Sequence, residues 1–96
     1  MTTLEQIRAK RSEILAIAEK YHVGDIRVFG SVATGNQTET SDIDFLVKPL
    51  EGCTYFDLGG LQMGLSDMFG RRADIVPERA VVAALRDRIF SEAVDL

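Results

Sequence analysis

The spacing of apolar residues switches between helical and strand periods along the chain, and the switches delimit its elements. Leu4, Ile7, Ile14, Ala18 and Tyr21 recur at helical spacing, and Leu15 and Ile17 widen the stripe. Arg11 interrupts it, but its stem is long enough to keep the charged head in water. Thr2 and Glu5 have the spacing of a capping box, so a helix is predicted from there to about residue 21. Gly24 is expected to close this helical region, with His22 capping the helix end and taking no part in chemistry. Ile26-Arg27-Val28-Phe29 is β-branched and aromatic, which predicts a short strand over 25–29. A short helical turn is expected over 31–34, then a polar loop over 35–40. A second strand is predicted over 42–48, stopped by Pro49, which cannot continue a sheet interior.

The pattern turns helical again over 55–69, where Leu58, Leu61, Leu65, Met68 and Phe69 share a face. Gly59, Gly60 and Gly64 each lower the stability of that helix by up to about 1 kcal/mol relative to alanine. Packing must supply the rest, or the glycines serve a close approach. Gly70 is expected to end the helix. A third strand is predicted over 73–76, before Pro77. Residues 78–90 read as one helix or two short ones, with Val81, Val82, Leu85, Ile89 and Phe90 facing inward. Residues 93–96 read as an extension of it or a short terminal strand. The order is helix, strand, small helix, strand, helix, strand, helix, an α/β pattern. The strand-helix-strand of 42–76 permits a parallel crossover, which spacing alone does not decide.

Composition narrows the class. The 96 residues predict one domain spanning 1–96. A chain this short buries about 60–70% of its unfolded surface, so the core is modest. Hydrophobic residues are 46% and charged residues 27%, ordinary for a globular domain. A net charge of −4 gives no basic footprint for nucleic-acid binding. The apolar runs fall far short of a membrane span, and the N-terminal residues lack the apolar core of a secretion signal. A single cysteine, Cys53, excludes an internal disulfide and fits a reducing, cytoplasmic location. Cys53 itself reads as a small loop residue.

The candidate chemistry is concentrated in 30–47, GSVATGNQTETSDIDFLV. Gly30-Ser31 ends the first predicted strand, and after ten intervening residues Asp42-Ile43-Asp44 opens the second. Side chains two apart on a strand share a face, so Asp42 and Asp44 are presented together. Two like charges about 4 Å apart repel by roughly 4 kcal/mol at an effective dielectric of about 20. A divalent cation removes that cost. Oxygen-only ligation suits Mg²⁺, which takes one or two carboxylates and completes its shell with water and substrate phosphates. Gly30 lets a phosphate approach its backbone, and Ser31 offers a hydroxyl and an N–H. A helical turn opened by Ser31-Val32-Ala33 aims free N–H groups at an anion. Ser41 is placed to hydrogen-bond locally and hold the aspartates in position. These features together suggest a site for a metal and a nucleoside triphosphate.

Taken singly, each feature has a plain explanation. An Asp-x-Asp at a strand edge is usually solvated surface, and a lone Gly-Ser is only a turn; the combination between two apolar strands is what points to a site. Asp74 lies inside an apolar strand, where burying an unpaired carboxylate is costly, so it either faces solvent at an edge or belongs to the site. Lys48, Arg71 and Arg72 could reach a phosphate or a partner, or be solvated charges at strand ends. Asp57, Asp67 and Glu78 read as helix-end charges.

Gly30-Ser31, Gly35, Ser41-Asp42-Ile43-Asp44 and the apolar Phe45-Leu46-Val47 resemble the signature of the minimal nucleotidyltransferases, small members of the polymerase-β-like superfamily. The pattern Gly-Ser, ten residues, Asp-x-Asp is met residue for residue, and the resemblance runs from about Val23 to the C-terminus. It implies an α/β (α+β) polymerase-β-like palm, a small mixed sheet with the aspartates on one face and helices packed on the other. It implies a third carboxylate from a later strand, a place that Asp74 matches. Asp42, Asp44 and Asp74 are then the catalytic metal ligands for two Mg²⁺ ions, with Asp74 on the ion that binds the acceptor. Gly30, Ser31 and Ser41 are expected around the nucleotide, with ATP as donor. The resemblance further implies an antitoxin whose partner is a HEPN-domain ribonuclease toxin, and transfer of AMP to a tyrosine of that toxin. Many relatives carry arginine before the second glycine. Ala33-Thr34-Gly35 offers no such arginine to phosphate or partner, and leaves the metal site untouched. Two other readings stand beside this one. The first is an antitoxin that only occludes its toxin. The second is a transferase acting on a small molecule or RNA, for which larger relatives carry a further helical domain.

Overall fold

The computed structural model describes residues 3–38 and 41–96. Its elements are α1 (Leu4–Ala9), α2 (Arg11–Lys20), β1 (Val23–Phe29), α3 (Gly30–Thr34), β2 (Ile43–Pro49), α4 (Tyr55–Phe69), β3 (Ala73–Pro77), a 3₁₀ turn (Glu78–Ala80), α5 (Ala83–Glu92) and β4 (Val94–Asp95). The N-terminal capping box belongs to Thr3 and Gln6. The Gln6 N–H donates to Thr3 Oγ1 at 3.2 Å, and the Thr3 N–H donates to Gln6 Oε1 at 2.9 Å. The predicted cap, Thr2, lies outside the described residues. The single predicted helix is two helices, broken at Lys10 (φ −104°, ψ 20°). A straight helix would need an apolar residue one turn after Ile7, and the chain has Lys10 and Arg11 there, so no packing holds the turn. Gly24 lies within β1 and does not close the helix; α2 ends at Tyr21, and His22 takes φ 61°. Leu50 lies against Gly24, where the β1–β2 register shifts between Val23 and Asp25.

Four strands form a mixed sheet in the order β3-β2-β1-β4. β1 is antiparallel to β2 and β4, and β2 is parallel to β3, so β2–α4–β3 is the crossover that spacing left open. The terminal residues form a strand, with Val94 opposite Val28. Alternation along the strands divides the sheet into two faces. Ile26, Val28, Ile43, Phe45 and Val47 turn to α2 and α4, where Ile14, Ala18, Leu58, Leu61 and Leu65 close the core. The α4 glycines are explained here. The Tyr21 ring occupies the space where a Gly60 Cβ would stand, and Ile17 packs at Gly64, so α2 and α4 approach closely. Leu61 is 0% exposed at the centre of this core. Leu61→Ala is expected to cost about 2–5 kcal/mol, to be read as a lower denaturation midpoint at unchanged slope.

α5 departs from the expectation. Val82 is 59% and Leu85 45% exposed, and no α5 residue is fully buried. The helix lies on the other face of the sheet, where Phe90 sits 5.3 Å from the Arg27 guanidinium and 4.6 Å from that of Arg86. Ile89 and Phe90 are only partly buried, and the helix packs chiefly on β1 and α3.

Candidate active site

The site forms where β1 ends and β2 begins. Phe29 is extended (φ −134°, ψ −174°), Gly30 turns the chain at φ 74°, and α3 follows at once. Gly35, at φ 81°, ends α3. Positive φ suits glycine, but Gly30 is needed for a second reason: a Cβ there would run into Asp44 Oδ2. The glycine turn and the aspartate are therefore in contact, as their spacing in the sequence suggested. The Ser31 carbonyl accepts the Asn36 N–H at 2.8 Å. Thr34 Oγ1 donates back to the Gly30 carbonyl at 3.2 Å, so Thr34 ties down its own helix.

Register partners on neighbouring strands point to the same face. Phe29 is opposite Asp44, and Asp44 is opposite Asp74, so these three form one row across β1, β2 and β3. Asp42 lies one residue before β2, outside the strand register, and its charge reaches Asp44. Asp42 is exposed, while Asp44 and Asp74 are partly buried. Burial, then the charge of Asp74, then that of Asp42 push the Asp44 carboxyl up from 3.8 to about 6. Burial and the two neighbouring carboxylates thus act on Asp44 in the same direction, a cost that a bound cation would offset. Among the described residues no group of three Asp, Glu, His or Cys side chains closes into a preformed metal cage. Mg²⁺ needs no such cage, since one or two carboxylates plus water and phosphate oxygens complete its shell. The donor set therefore fits Mg²⁺.

The segment leading into Asp42 is held from two sides. Ser41 Oγ accepts the Thr38 N–H at 2.7 Å, and the Ser41 N–H donates to the Thr38 carbonyl at 3.1 Å. Arg71 Nη1 donates to the Ser41 carbonyl at 2.9 Å and to that of Thr38 at 3.2 Å. Ser41 makes the local hydrogen bonds expected of it, and Arg71 supports the loop. Glu39 and Thr40 lie outside the described residues. Arg71→Ala removes charge-assisted bonds worth about 1.5–3 kcal/mol where fully formed. It is expected to lower kcat/KM for nucleotidyl transfer roughly ten-fold, with a small loss of melting temperature. An unchanged kcat/KM would mean that the loop does not position Asp42.

Arg27 was not singled out by the sequence. It occupies the next row of the same face, opposite Leu46, which is in turn opposite Val76. Arg27 Nη2 donates to Glu78 Oε1 at 2.7 Å, and Leu46 between those strands is 1% exposed. Glu78 is therefore a partner of Arg27 and not simply a helix-end charge. The signal was present in Ile26-Arg27-Val28-Phe29: on a strand, Arg27 and Phe29 must face away from the Ile26/Val28 core.

Other candidates fall elsewhere. Lys48 is exposed four residues along β2 from Asp44, a separation of about 13 Å. His22 lies beside Asp57, with Nδ1 at 3.4 Å from Oδ2, at the start of α4. Hydrogen bonding from the Thr54 backbone, ahead of the other influences, holds the Asp57 carboxyl below its ordinary value. Cys53 is partly buried, and burial pushes its thiol up, away from the reactive thiolate. Arg72 is exposed and precedes Ala73 as Asp42 precedes Ile43, the register partner of Ala73, so it stands level with Asp42.

Residues 11–96 match the family model described as the nucleotidyltransferase domain. The chain belongs to this nucleotidyltransferase family. It is 38% identical over 86 residues to a Methanocaldococcus jannaschii chain provisionally named a protein adenylyltransferase, covering 90% of this chain and 92% of that relative. It is 31% identical over 98 residues to the protein adenylyltransferase MntA of Thermococcus cleftensis, covering 98% and 96%. A solved structure provisionally named a minimal nucleotidyltransferase superposes with a TM-score of 0.87 at 40% identity, over 99% of this chain and 97% of that one. A toxin–antitoxin structure solved with AMP-PNP shares the fold, with a TM-score of 0.73 at 21% identity over 88% of this chain and 69% of that one. The nucleotidyltransferase assignment and the mixed sheet agree. Among the described residues, no helix of this nucleotidyltransferase is long and apolar enough to cross a membrane.

Proposed function

We propose that this nucleotidyltransferase transfers AMP from ATP to a hydroxyl, a tyrosine in the first instance, of a HEPN-domain ribonuclease toxin, and so acts as the antitoxin of a pair. The observation that carries the reading is the row itself: Asp44 opposite Asp74, with Asp42 beside it and Gly30 in contact with Asp44. Relatives of nearly the same length named protein adenylyltransferases support AMP as the transferred group and a protein as acceptor. The fold shared with toxin–antitoxin structures, one of them holding AMP-PNP, supports the kind of partner. In this reading residues 1–96 act as one catalytic domain in the cytoplasm.

Two Mg²⁺ ions, when bound, would neutralise the triphosphate and lower the pKa of the acceptor hydroxyl. Asp42 and Asp44 would hold both ions, and Asp74 the one nearer the acceptor. Gly30 gives the β- and γ-phosphates room against the backbone, and the Ser31 hydroxyl and N–H orient them. Ser41 keeps Asp42 and Asp44 in place. Asp74 is placed to take the proton of the attacking hydroxyl. The hydroxyl oxygen attacks the α-phosphorus, the bond to the β-phosphate bridge breaks, and pyrophosphate leaves.

The test is intact-mass spectrometry of the protein encoded beside this chain, after incubation with the chain, ATP and Mg²⁺. A gain of one or more AMP units, absent with Asp44→Asn, is expected. No gain together with a stable complex on a sizing column would favour an antitoxin that only occludes its toxin. Absence of both an AMP gain and a stable complex would redirect the search to a small-molecule or RNA acceptor.

A further inference from the structure

The side of α4 turned away from the sheet is apolar where a solvated helix is polar. Phe56 is 93% exposed, Tyr55 85% and Met63 70%. Phe56, Gly59, Gly60 and Met63 form one stripe at helical spacing, opposite the buried Leu58, Leu61 and Leu65. The Tyr21 ring rests on Gly60, but a Cβ added at Gly59 would meet nothing within 4 Å. The stripe therefore reads large side chain, open notch, large side chain. With Tyr55 beside it, and taking about 200 Å² for each aromatic, the stripe exposes on the order of 500 Å², toward the upper end of the apolar patches that monomers carry, which are often functional.

We infer that this face is covered by a second copy of the same chain, α4 against α4, antiparallel about a two-fold axis between Gly59 and Gly60. Such an axis sets Phe56 opposite Met63 of the second copy and puts the open notch at Gly59 beside the crossing, with the Tyr21 ring that covers Gly60 at its edge. The stripe is thus complementary to itself, as an isologous interface requires. Charge does not oppose the pairing. The one charged residue between Tyr55 and Ser66 is Asp57, which would face Gln62 of the second copy. Asp57 is also held off the stripe by the Thr54 N–H at 2.9 Å. Two copies remove about 1,000 Å², the lower bound for a specific interface, so the dimer is a weak one in the micromolar range.

Position favours a second copy over the acceptor as occupant. α4 packs on the face of the sheet that carries Ile43 and Phe45, and Asp44 points from the other. A protein docked on the outer side of α4 has the sheet between its hydroxyls and the aspartates of that copy. Back-to-back pairing leaves both catalytic faces open, one for each acceptor.

The experiment is sedimentation equilibrium of the full chain over a micromolar to sub-millimolar concentration series, which requires no catalytic activity. The wild-type mass is expected to rise toward two chains. Phe56→Asp and Gly59→Leu are each expected to raise the dissociation constant at least ten-fold. Phe56→Asp should keep the circular dichroism and the transfer activity of the wild type. A wild type that stays monomeric throughout, or a Phe56→Asp that dimerises like it, would overturn the inference. Register is tested in a Cys53→Ser background by mixing Phe56→Cys with Met63→Cys under oxidation. Cross-linking between the two variants should exceed that within either alone, and equal yields would overturn the stated axis.

Discussion

Replacing Asp44 with asparagine is expected to abolish transfer, by at least about 10³-fold or 4 kcal/mol of transition-state stabilisation, while stabilising the metal-free fold. Both effects follow from one position. Asp44 is in contact with Gly30, opposite Asp74 and two residues from Asp42, so in the proposed mechanism it is the carboxylate on which metal binding would depend most. Without a cation the same position is costly. Its carboxyl titrates near 6 in the folded chain against 3.8 for the free group, because of burial first and then Asp74 and Asp42. The folded state therefore holds its proton more tightly than the unfolded state. Stability from this group is fully present below about pH 4 and is lost as pH rises toward 6. At full strength the difference would be about 3 kcal/mol. Asp44 is partly exposed, and solvent screening leaves an expected gain of about 1 kcal/mol for the variant at pH 7. Thermal unfolding in chelator should show Asp44→Asn above wild type at pH 7 and level with it at pH 4. A variant that melts well below wild type at pH 7 would make Asp44 a structural residue.

Gly30→Ala carries the second large effect. At φ 74° an alanine costs about 1–2 kcal/mol, and its Cβ would run into Asp44 Oδ2. The aspartate must move, and a misplacement of about 1 Å near reacting atoms costs about 10²-fold in rate. Gly35→Ala is the control. Gly35 has φ 81°, but a Cβ there meets nothing within 4 Å. The two variants should lose similar stability, while only Gly30→Ala loses kcat/KM by about 10²-fold or more. Equal losses of activity would show that the turn, and not its contact with Asp44, matters.

The candidate site was legible in part because strand alternation and glycine turns act locally. Phe29-Gly30 is the strand end expected of it, and Asp44 stands at the start of β2, while Asp42 lies one residue before the strand that was predicted to include it. Asp74 needed more. Its place opposite Asp44 depends on β2 and β3 being parallel and in register, which is decided by the α4 crossover and not by the residues around Asp74. Arg27 was hidden for the same reason, since its partner Glu78 is 51 residues away. The break at Lys10 could have been read from Lys10 and Arg11 standing where the stripe needs an apolar residue, whereas the register shift at Gly24, where Leu50 lies, involves a residue too distant for local spacing to report. α5 was misjudged because Val82 and Leu85 imitate a buried stripe, yet the helix lies on the face of the sheet that carries Arg27 and Asp44, where no helix was expected.

The central claim is that Asp42, Asp44 and Asp74 form a site for metal-bound triphosphate. Calorimetric titration with a non-hydrolysable ATP analogue, with and without Mg²⁺, tests it most directly. The expected result is binding by the wild type that requires Mg²⁺ and is lost in Asp44→Asn, with circular dichroism unchanged. Binding of equal strength without Mg²⁺, or in Asp44→Asn, would contradict it.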